Sequence, residues 1–269
     1  MIPKTIHYCW FGHNEKPEII QNCIISWKKH CPDYEIIEWN ESNFDISMNL
    51  YVKEAYDHKK WAFVSDVARI WCVYNYGGIY LDTDVEILNS IDEFLVYEMF
   101  SFFETLYVNT GMGFGAEKGN KILKAILEDY DARSFIKPNG RLDMSPCPGM
   151  NSMVIADCLK DLQLDGTTQK IANTMFFSYG TYTKYMHHYA TGSWGDTPNY
   201  SKDERRVYKD TALKRFLRKE SRMEFVRRKL GKKIYTIYVF MSYDFLEYGL
   251  LHYVNKCKQK VTGLFTKEQ

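Results

Sequence analysis

Residues 77–84 read Gly-Gly-Ile-Tyr-Leu-Asp-Thr-Asp and carry the clearest structural signal in the sequence. The two glycines can end a preceding helix, because a residue without Cβ adopts the left-handed cap conformation readily. The apolar triplet that follows is typical of a short strand buried in a parallel sheet. Asp82 and Asp84 then stand at the carboxyl end of that strand, where open α/β sheets bind their ligands. The stretch therefore predicts a buried strand that presents two carboxylates.

The chain before this stretch predicts alternating strands and helices. Residues 5–11 are β-branched and aromatic, residues 18–30 carry apolar side chains at helical spacing, and residues 34–39 form a second strand pattern. Residues 51–75 are helical again, and their second half, from residue 61, is the more regular. A βαβ unit followed by a helix and a strand predicts an α/β domain with a mostly parallel central sheet.

The chain after residue 84 has weaker patterns. Residues 100–103 and 112–116 resemble strands, and residues 120–130 resemble a helix. The segment Pro146-Cys147-Pro148-Gly149 is rich in turn residues, so we expect a loop that leads into a helix over about 151–162. Residues 176–200 are aromatic and glycine-rich and show little periodicity.

Composition favours a globular protein of the cytoplasm. Hydrophobic residues make up 45% of the 269 residues and aromatic residues 16%, which excludes a largely disordered chain. The sequence has no apolar run long enough for a membrane helix and no signal-peptide pattern at its start. Its seven cysteines are scattered without a Cys-x-x-Cys pair, so we expect reduced, packed thiols rather than disulfides or a zinc ribbon.

Two groups of residues can carry chemistry. The carboxylates of Asp82 and Asp84 are the hard oxygen ligands that suit Mg²⁺ or Mn²⁺, although a pair of this kind is often only a surface turn. Asp66 and Arg69 lie three positions apart on the preceding helix and so share one face. That pair is either a surface ion pair or a polar group inside the fold that grips a ligand with several hydroxyls.

The chain from Ile2 to Trp194 resembles the glycosyltransferases of family 32, which carry an Asp-x-Asp motif, and more distantly the glucosyltransferase domains of large bacterial toxins. The matching residues, in chain order, are Ile2-Pro3-Lys4-Thr5-Ile6-His7, Trp10-Phe11-Gly12, Ser26-Trp27, Pro32, Ser65-Asp66-Val67-Ala68-Arg69, Gly77 to Val85, Asn109, Gly111, His187-His188 and Ser193-Trp194. The turn at residues 146–149 departs from the Thr-Gly-Pro or Ser-Gly-Pro of many relatives, which leaves contacts to an acceptor open.

The resemblance implies a GT-A fold over residues 1–200 and a retaining transferase that moves a sugar, with a UDP-hexose favoured, from a nucleotide-sugar donor to a glycan acceptor. It implies Mn²⁺ or Mg²⁺ as cofactor and bacterial surface polysaccharide synthesis as the setting. The implied donor-binding residues are Trp10, Asp66, Arg69, Asp82, Asn109, Ser193 and Trp194. The implied catalytic residues are Asp82, Asp84 and Arg69, and the implied metal ligands are Asp84 and His188, with His187 as the other candidate.

Two other functions fit parts of the pattern. A sugar-binding protein without turnover could keep the same fold, although both carboxylates and the late His-Ser-Trp residues disfavour it. An aspartate after an apolar strand also begins the motif of haloacid-dehalogenase-like phosphotransferases. Those enzymes need a later pair of aspartates on another strand, and this sequence contains no Asp-Asp.

The last 69 residues differ in charge from the rest of the chain. Residues 201–269 carry a net charge of +10, whereas residues 1–200 carry −9. Basic and aromatic residues together predict either a peripheral contact with an anionic membrane, near a lipid-linked acceptor, or a solvated helical extension packed on the catalytic domain. No nucleic-acid-binding motif accompanies the charge, so nucleic acid is the least favoured partner.

Overall fold

The computed structural model describes residues 1–191, and every structural statement below concerns those residues. The extension predicted over residues 201–269 lies outside them, as do Ser193 and Trp194. The boundary at residue 200 therefore stays a prediction.

The described residues form a mixed α/β structure. The helices are α1 (Glu18–His30), α2 (Leu50–Asp57), α3 (Trp61–Tyr76), α4 (Lys121–Asp131), α5 (Cys147–Cys158) and α6 (Tyr179–Tyr185), with a 3₁₀ helix at Asp92–Val96. The strands are β1 (Thr5–Cys9), β2 (Glu35–Trp39), β3 (Gly78–Tyr80), β4 (Val85–Ile87), β5 (Met99–Glu104), β6 (Tyr107–Val108), β7 (Phe114–Ala116), β8 (Gln169–Ile171), β9 (Thr174–Phe177) and β10 (Met186–His188).

The central sheet has the strand order β2-β1-β3-β7-β5-β9-β8, with β6 paired to β5. Strands β2, β1, β3, β5 and β9 run in one direction, while β7, β8 and β6 run in the other. The predicted α/β class and the opening βαβ unit are confirmed, and the sheet is mostly parallel in strand direction but mixed in its pairings. A separate two-stranded ribbon joins β4 and β10 in antiparallel fashion.

Helices cover both faces of the sheet because its strands alternate their side chains between two cores. In β3 and the residue after it, Ile79 and Leu81 enter the core that contains Trp27 of α1, whereas Tyr80 enters the core on the α3 side. The five described cysteines before residue 150 are buried, Cys158 is exposed, and these six thiols are free. Cys257 lies outside the described residues.

The glycine pair performs the two tasks that its sequence predicts. Gly77 ends α3 with φ of 70°, and Gly78 begins β3 with φ of 108°. A Cβ on Gly78 would lie 2.7 Å from the carbonyl oxygen of Thr5 on β1. The chain can therefore turn from α3 into the middle of the sheet only because neither residue has a side chain.

One prediction from the C-terminal half is corrected, and one segment without a prediction contains regular structure. The segment at residues 146–149 is not a loop before a helix at residue 151, because α5 begins at Cys147 with a proline in its first turn, where a missing N–H costs nothing. Residues 176–191, which gave no periodic signal, contain the end of β9, helix α6 and strand β10. Their elements are too short for periodicity to show.

Candidate functional site

Asp82 and Asp84 follow β3 in a tight turn that leads into β4. The backbone N–H of Val85 donates to the carbonyl oxygen of Asp82 at 3.0 Å, and the N–H of Asp82 donates to the carbonyl oxygen of Gly111 at 3.2 Å. The turn is held from the α1 side as well, since the indole of Trp27 donates to the carbonyl oxygen of Val85 at 2.7 Å. The backbone that carries both carboxylates is therefore held by hydrogen bonds and is not a free surface loop.

Asp84 is buried and bound on two sides. Its Oδ1 lies 3.2 Å from Nε2 of His188, and its Oδ2 accepts hydrogen bonds of 2.8 Å from both the backbone N–H and the hydroxyl of Thr191. Burial opposes the negative charge of Asp84. The hydrogen bond and positive charge of His188, together with the two hydrogen bonds from Thr191, nevertheless lower the pKa of Asp84 to about 2. Burial likewise opposes the charge of His188, and Asp84 nevertheless raises the pKa of that imidazole.

Ribbon pairing explains why His188 rather than His187 reaches Asp84. His188 pairs with Val85 and is only partly exposed, whereas the neighbouring His187 points the other way, is exposed and packs its ring against Tyr189 at 4.6 Å. The backbone N–H of Tyr189 donates to the carbonyl oxygen of Asp84 at 3.0 Å. The ribbon thus carries a late part of the chain back to the acidic turn.

A second group of charges lies beside the acidic turn and is buried. The guanidinium of Arg69 is 3.0 Å from Oδ1 of Asp66 and 3.3 Å from Oδ1 of Asp82, so it bridges the two carboxylates. Burial raises the pKa of Asp66 to about 6, and the nearby Arg69 charge opposes that rise. The surface ion-pair interpretation is therefore excluded, because Asp66 and Arg69 are both buried.

Several residues of this group were not found from the sequence. The hydroxyl of Tyr80 donates to Oδ1 of Asp82 at 2.9 Å, and the thiol of Cys147 lies 3.7 Å from Nη1 of Arg69. Alternation along a strand would put Tyr80 on the face opposite Ile79 and Leu81, and that signal could have found it. No sequence signal joined Cys147 or Thr191 to the site, because long-range packing alone brings them there.

The other predicted donor residues lie at different places. Asn109 is buried near Asp82 and accepts from the backbone N–H of Gly111 at 2.8 Å. Trp10 follows β1, is half-buried, and donates from its indole to the carbonyl oxygen of Asn14 at 2.7 Å. The roles given to these residues, and those of Ser193 and Trp194 outside the described part, stay predictions.

The donor atoms suit a divalent cation. One ligand atom each from Asp82, Asp84 and His188 lies within 4.8 Å of the other two. Mn²⁺ accepts both carboxylate oxygens and an imidazole nitrogen as ligands, whereas Mg²⁺ would bind through the carboxylate oxygens. The set lies at the carboxyl end of a central strand, beside the buried ion pairs of Arg69, and this is where open α/β sheets bind their ligands.

Comparison with known proteins shows which family the region around this site is similar to. Residues 17–101 match the family described as the glycosyltransferase sugar-binding region containing a DXD motif, and Asp82 and Asp84 are that motif. Over that region the chain is similar to these DXD glycosyltransferases.

Two curated relatives are similar to part of the chain. The chain is 35% identical over 111 residues to inositol phosphoceramide mannosyltransferase 3 of Schizosaccharomyces pombe, covering 36% of this chain and 28% of that one. It is 30% identical over 103 residues to inositol phosphoceramide mannosyltransferase 1 of the same organism, covering 35% and 31%. The matched part thus spans less than a third of the length of these relatives.

Among solved structures, the chain is similar to the PaToxG glycosyltransferase, with a TM-score of 0.46 at 18% identity over 59% of this chain and 70% of that one. No helix of residues 1–191 combines the length and the apolar character that a membrane crossing requires.

Proposed function

We propose that this protein transfers a hexose from a nucleotide-sugar donor to a glycan acceptor with retention of configuration. The observation that carries the proposal is the convergence of Asp82, Asp84 and His188 beside the buried Asp66–Arg69 pair. The DXD region matched by residues 17–101 supports the same activity.

The chain's own residues would hold and orient the donor. Asp84 and His188, with Asp82, are the ligands for Mn²⁺ or Mg²⁺, and when bound that ion supplies positive charge to the departing diphosphate. Arg69 fixes Asp82 through their 3.3 Å ion pair, so this carboxylate cannot turn away from the site. Asp66 shares the same guanidinium and presents a second carboxylate to hydroxyl groups of a sugar. The acceptor hydroxyl would attack from the face that the diphosphate leaves.

The donor and acceptor belong to the proposal as well. A UDP-hexose remains the favoured donor, and GDP-mannose is the second candidate because two relatives are named mannosyltransferases. The acceptor is proposed to be lipid-linked, since the same names contain inositol phosphoceramide. Residues 201–269 would bind the anionic inner face of a bacterial plasma membrane and so bring the enzyme to such an acceptor.

Donor hydrolysis tests the proposal without knowledge of the acceptor. A panel of UDP-hexoses, their N-acetyl forms and GDP-mannose is incubated with Mn²⁺, and the released nucleoside diphosphate is measured. We expect release from one donor that EDTA abolishes and that Asp84→Asn reduces by about a hundredfold or more. If a nucleotide sugar binds but is never hydrolysed or transferred, a sugar-binding protein without turnover is the better description.

A further inference from the structure

Glu104 is a carboxylate beside the site that neither the sequence patterns nor the family match singles out. It is the last residue of β5, and its side chain is exposed. Only Thr105 and Leu106 separate it from β6, whose Tyr107 pairs with it. Thr105 has φ of 58°, which is uncommon for a β-branched residue. The hairpin thus fixes the backbone of Glu104, from which its exposed side chain extends.

Hydrogen bonds connect Glu104 to Asp82 through one side chain and one backbone segment. Oε2 of Glu104 accepts from Nδ2 of Asn109 at 2.7 Å, and Oδ1 of Asn109 accepts from the backbone N–H of Gly111 at 2.8 Å. The carbonyl oxygen of Gly111 in turn accepts from the backbone N–H of Asp82 at 3.2 Å. Each link has a defined donor and acceptor.

The amide of Asn109 has two orientations, and Glu104 selects one of them. In the observed orientation, the NH₂ group faces the carboxylate and the carbonyl oxygen faces the N–H of Gly111. A half-turn of the amide would place an oxygen against the Glu104 carboxylate and an NH₂ group against a backbone N–H. Both contacts would be repulsive, because each would join two acceptors or two donors.

The segment that Asn109 holds must be placed closely. A Cβ on Gly111 would lie 2.6 Å from Oδ2 of Asp82 and 2.9 Å from Nη1 of Arg69. The backbone at residue 111 is therefore in contact with both the metal-binding carboxylate and the guanidinium that fixes it. A shift of this backbone would move Asp82.

We infer that Glu104 is a positioning residue of this site, which fixes the amide of Asn109 and thereby holds the Gly111 backbone against Asp82. The inference deepens the proposed function, on which the activity part of its test rests. What Glu104 supplies is an acceptor oxygen, so a glutamine at this position keeps the role in part and an alanine loses it.

The test compares Glu104→Ala and Glu104→Gln with Glu98→Ala, which alters the glutamate just before the opposite end of β5. Mn²⁺-dependent donor hydrolysis gives kcat and KM, and NMR of protein labelled with ¹⁵N at asparagine reports the side-chain amide of Asn109. We expect Glu104→Ala to lower kcat/KM by about tenfold or more and to shift the Asn109 amide signals. Glu104→Gln should stay within about threefold of the wild type, with the amide signals near their original place, and Glu98→Ala should change neither.

Two results would overturn the inference. Unchanged kinetics and unchanged amide signals in Glu104→Ala would show that Asn109 needs no partner. Equal losses in Glu104→Gln and Glu104→Ala would show that the charge itself acts, rather than an acceptor oxygen. If the wild-type protein hydrolyses no donor at all, the proposed function fails, and the Asn109 amide signals of the two variants still decide the role of Glu104.

Discussion

Replacing Gly111 by alanine tests how closely the site is packed. The φ of Gly111 is not in the left-handed region, so the backbone accepts alanine and the effect arises from space alone. The added Cβ would lie 2.6 Å from Oδ2 of Asp82, whereas ordinary van der Waals contact begins at 3.4 Å. Asp82 or the backbone of residue 111 must therefore move by about 0.8 Å. Overpacking of this kind costs about 1–3 kcal/mol in stability, and a shift of about 1 Å near a reacting group costs on the order of a hundredfold in rate.

Gly149→Ala is the matched control, because a Cβ there meets no heavy atom within 4 Å. Gly149 lies in α5, where alanine should stabilise by about 0.5–1 kcal/mol. Urea unfolding gives the stability of both variants, and Mn²⁺-dependent donor hydrolysis gives their activity. We expect Gly111→Ala to lose about 1–3 kcal/mol and at least tenfold in kcat/KM, while Gly149→Ala keeps its activity. A Gly111→Ala protein as active as the wild type would refute the reasoning that Asp82 is held against residue 111.

Three further predictions concern other parts of the chain. Gly78→Ala should lower the free energy of unfolding by about 2 kcal/mol or more, because φ is 108° and the Cβ would lie 2.7 Å from the Thr5 carbonyl oxygen. Urea unfolding measures this loss, and a loss below about 0.5 kcal/mol would contradict the prediction. Burial lowers the pKa of His7 below its ordinary value of 6.5. As the pH drops below about 6.5, His7 therefore takes up a proton more readily in the unfolded chain than in the folded one, and the free energy of unfolding falls until the pH reaches the folded pKa. His7→Gln should flatten that fall in pH-dependent unfolding, and an equal slope in both proteins would count against the assignment. Deletion of residues 201–269 should reduce flotation with vesicles that contain anionic phosphatidylserine, and equal flotation of the full and shortened chains would remove the membrane proposal.

The fold was predictable where a helix or strand has a sequence pattern of its own. Gly77-Gly78 marked the end of α3 and the start of β3, because the conformations required there exclude side chains. The bounds of α1 matched its apolar spacing over residues 18–30. The start of α5 at Cys147 was missed, because two prolines and a glycine are turn residues in most settings and yet fit the first turn of a helix.

The site was predictable only as far as the resemblance and local spacing reached. Spacing placed Asp66 and Arg69 on one face of α3, but only the fold shows that Arg69 bridges to Asp82. Thr191 and Glu104 come from distant parts of the chain, and a threonine or a glutamate alone carries no signal of a site. Their contacts depend on the register of β10 with β4 and of β6 with β5, which a single sequence does not specify.

Mn²⁺ affinity is the most direct test of the central claim that Asp84 and His188, with Asp82, form one cation site. Isothermal titration calorimetry with Mn²⁺ compares the wild type with Asp84→Asn, His188→Ala and His187→Ala. His187→Ala is the control, because it alters the exposed histidine adjacent to His188. The account predicts that Asp84→Asn and His188→Ala each weaken binding by tenfold or more, on the order of 1.4 kcal/mol, while His187→Ala binds like the wild type. Wild-type affinity in Asp84→Asn, or an equal loss in both histidine variants, would contradict it.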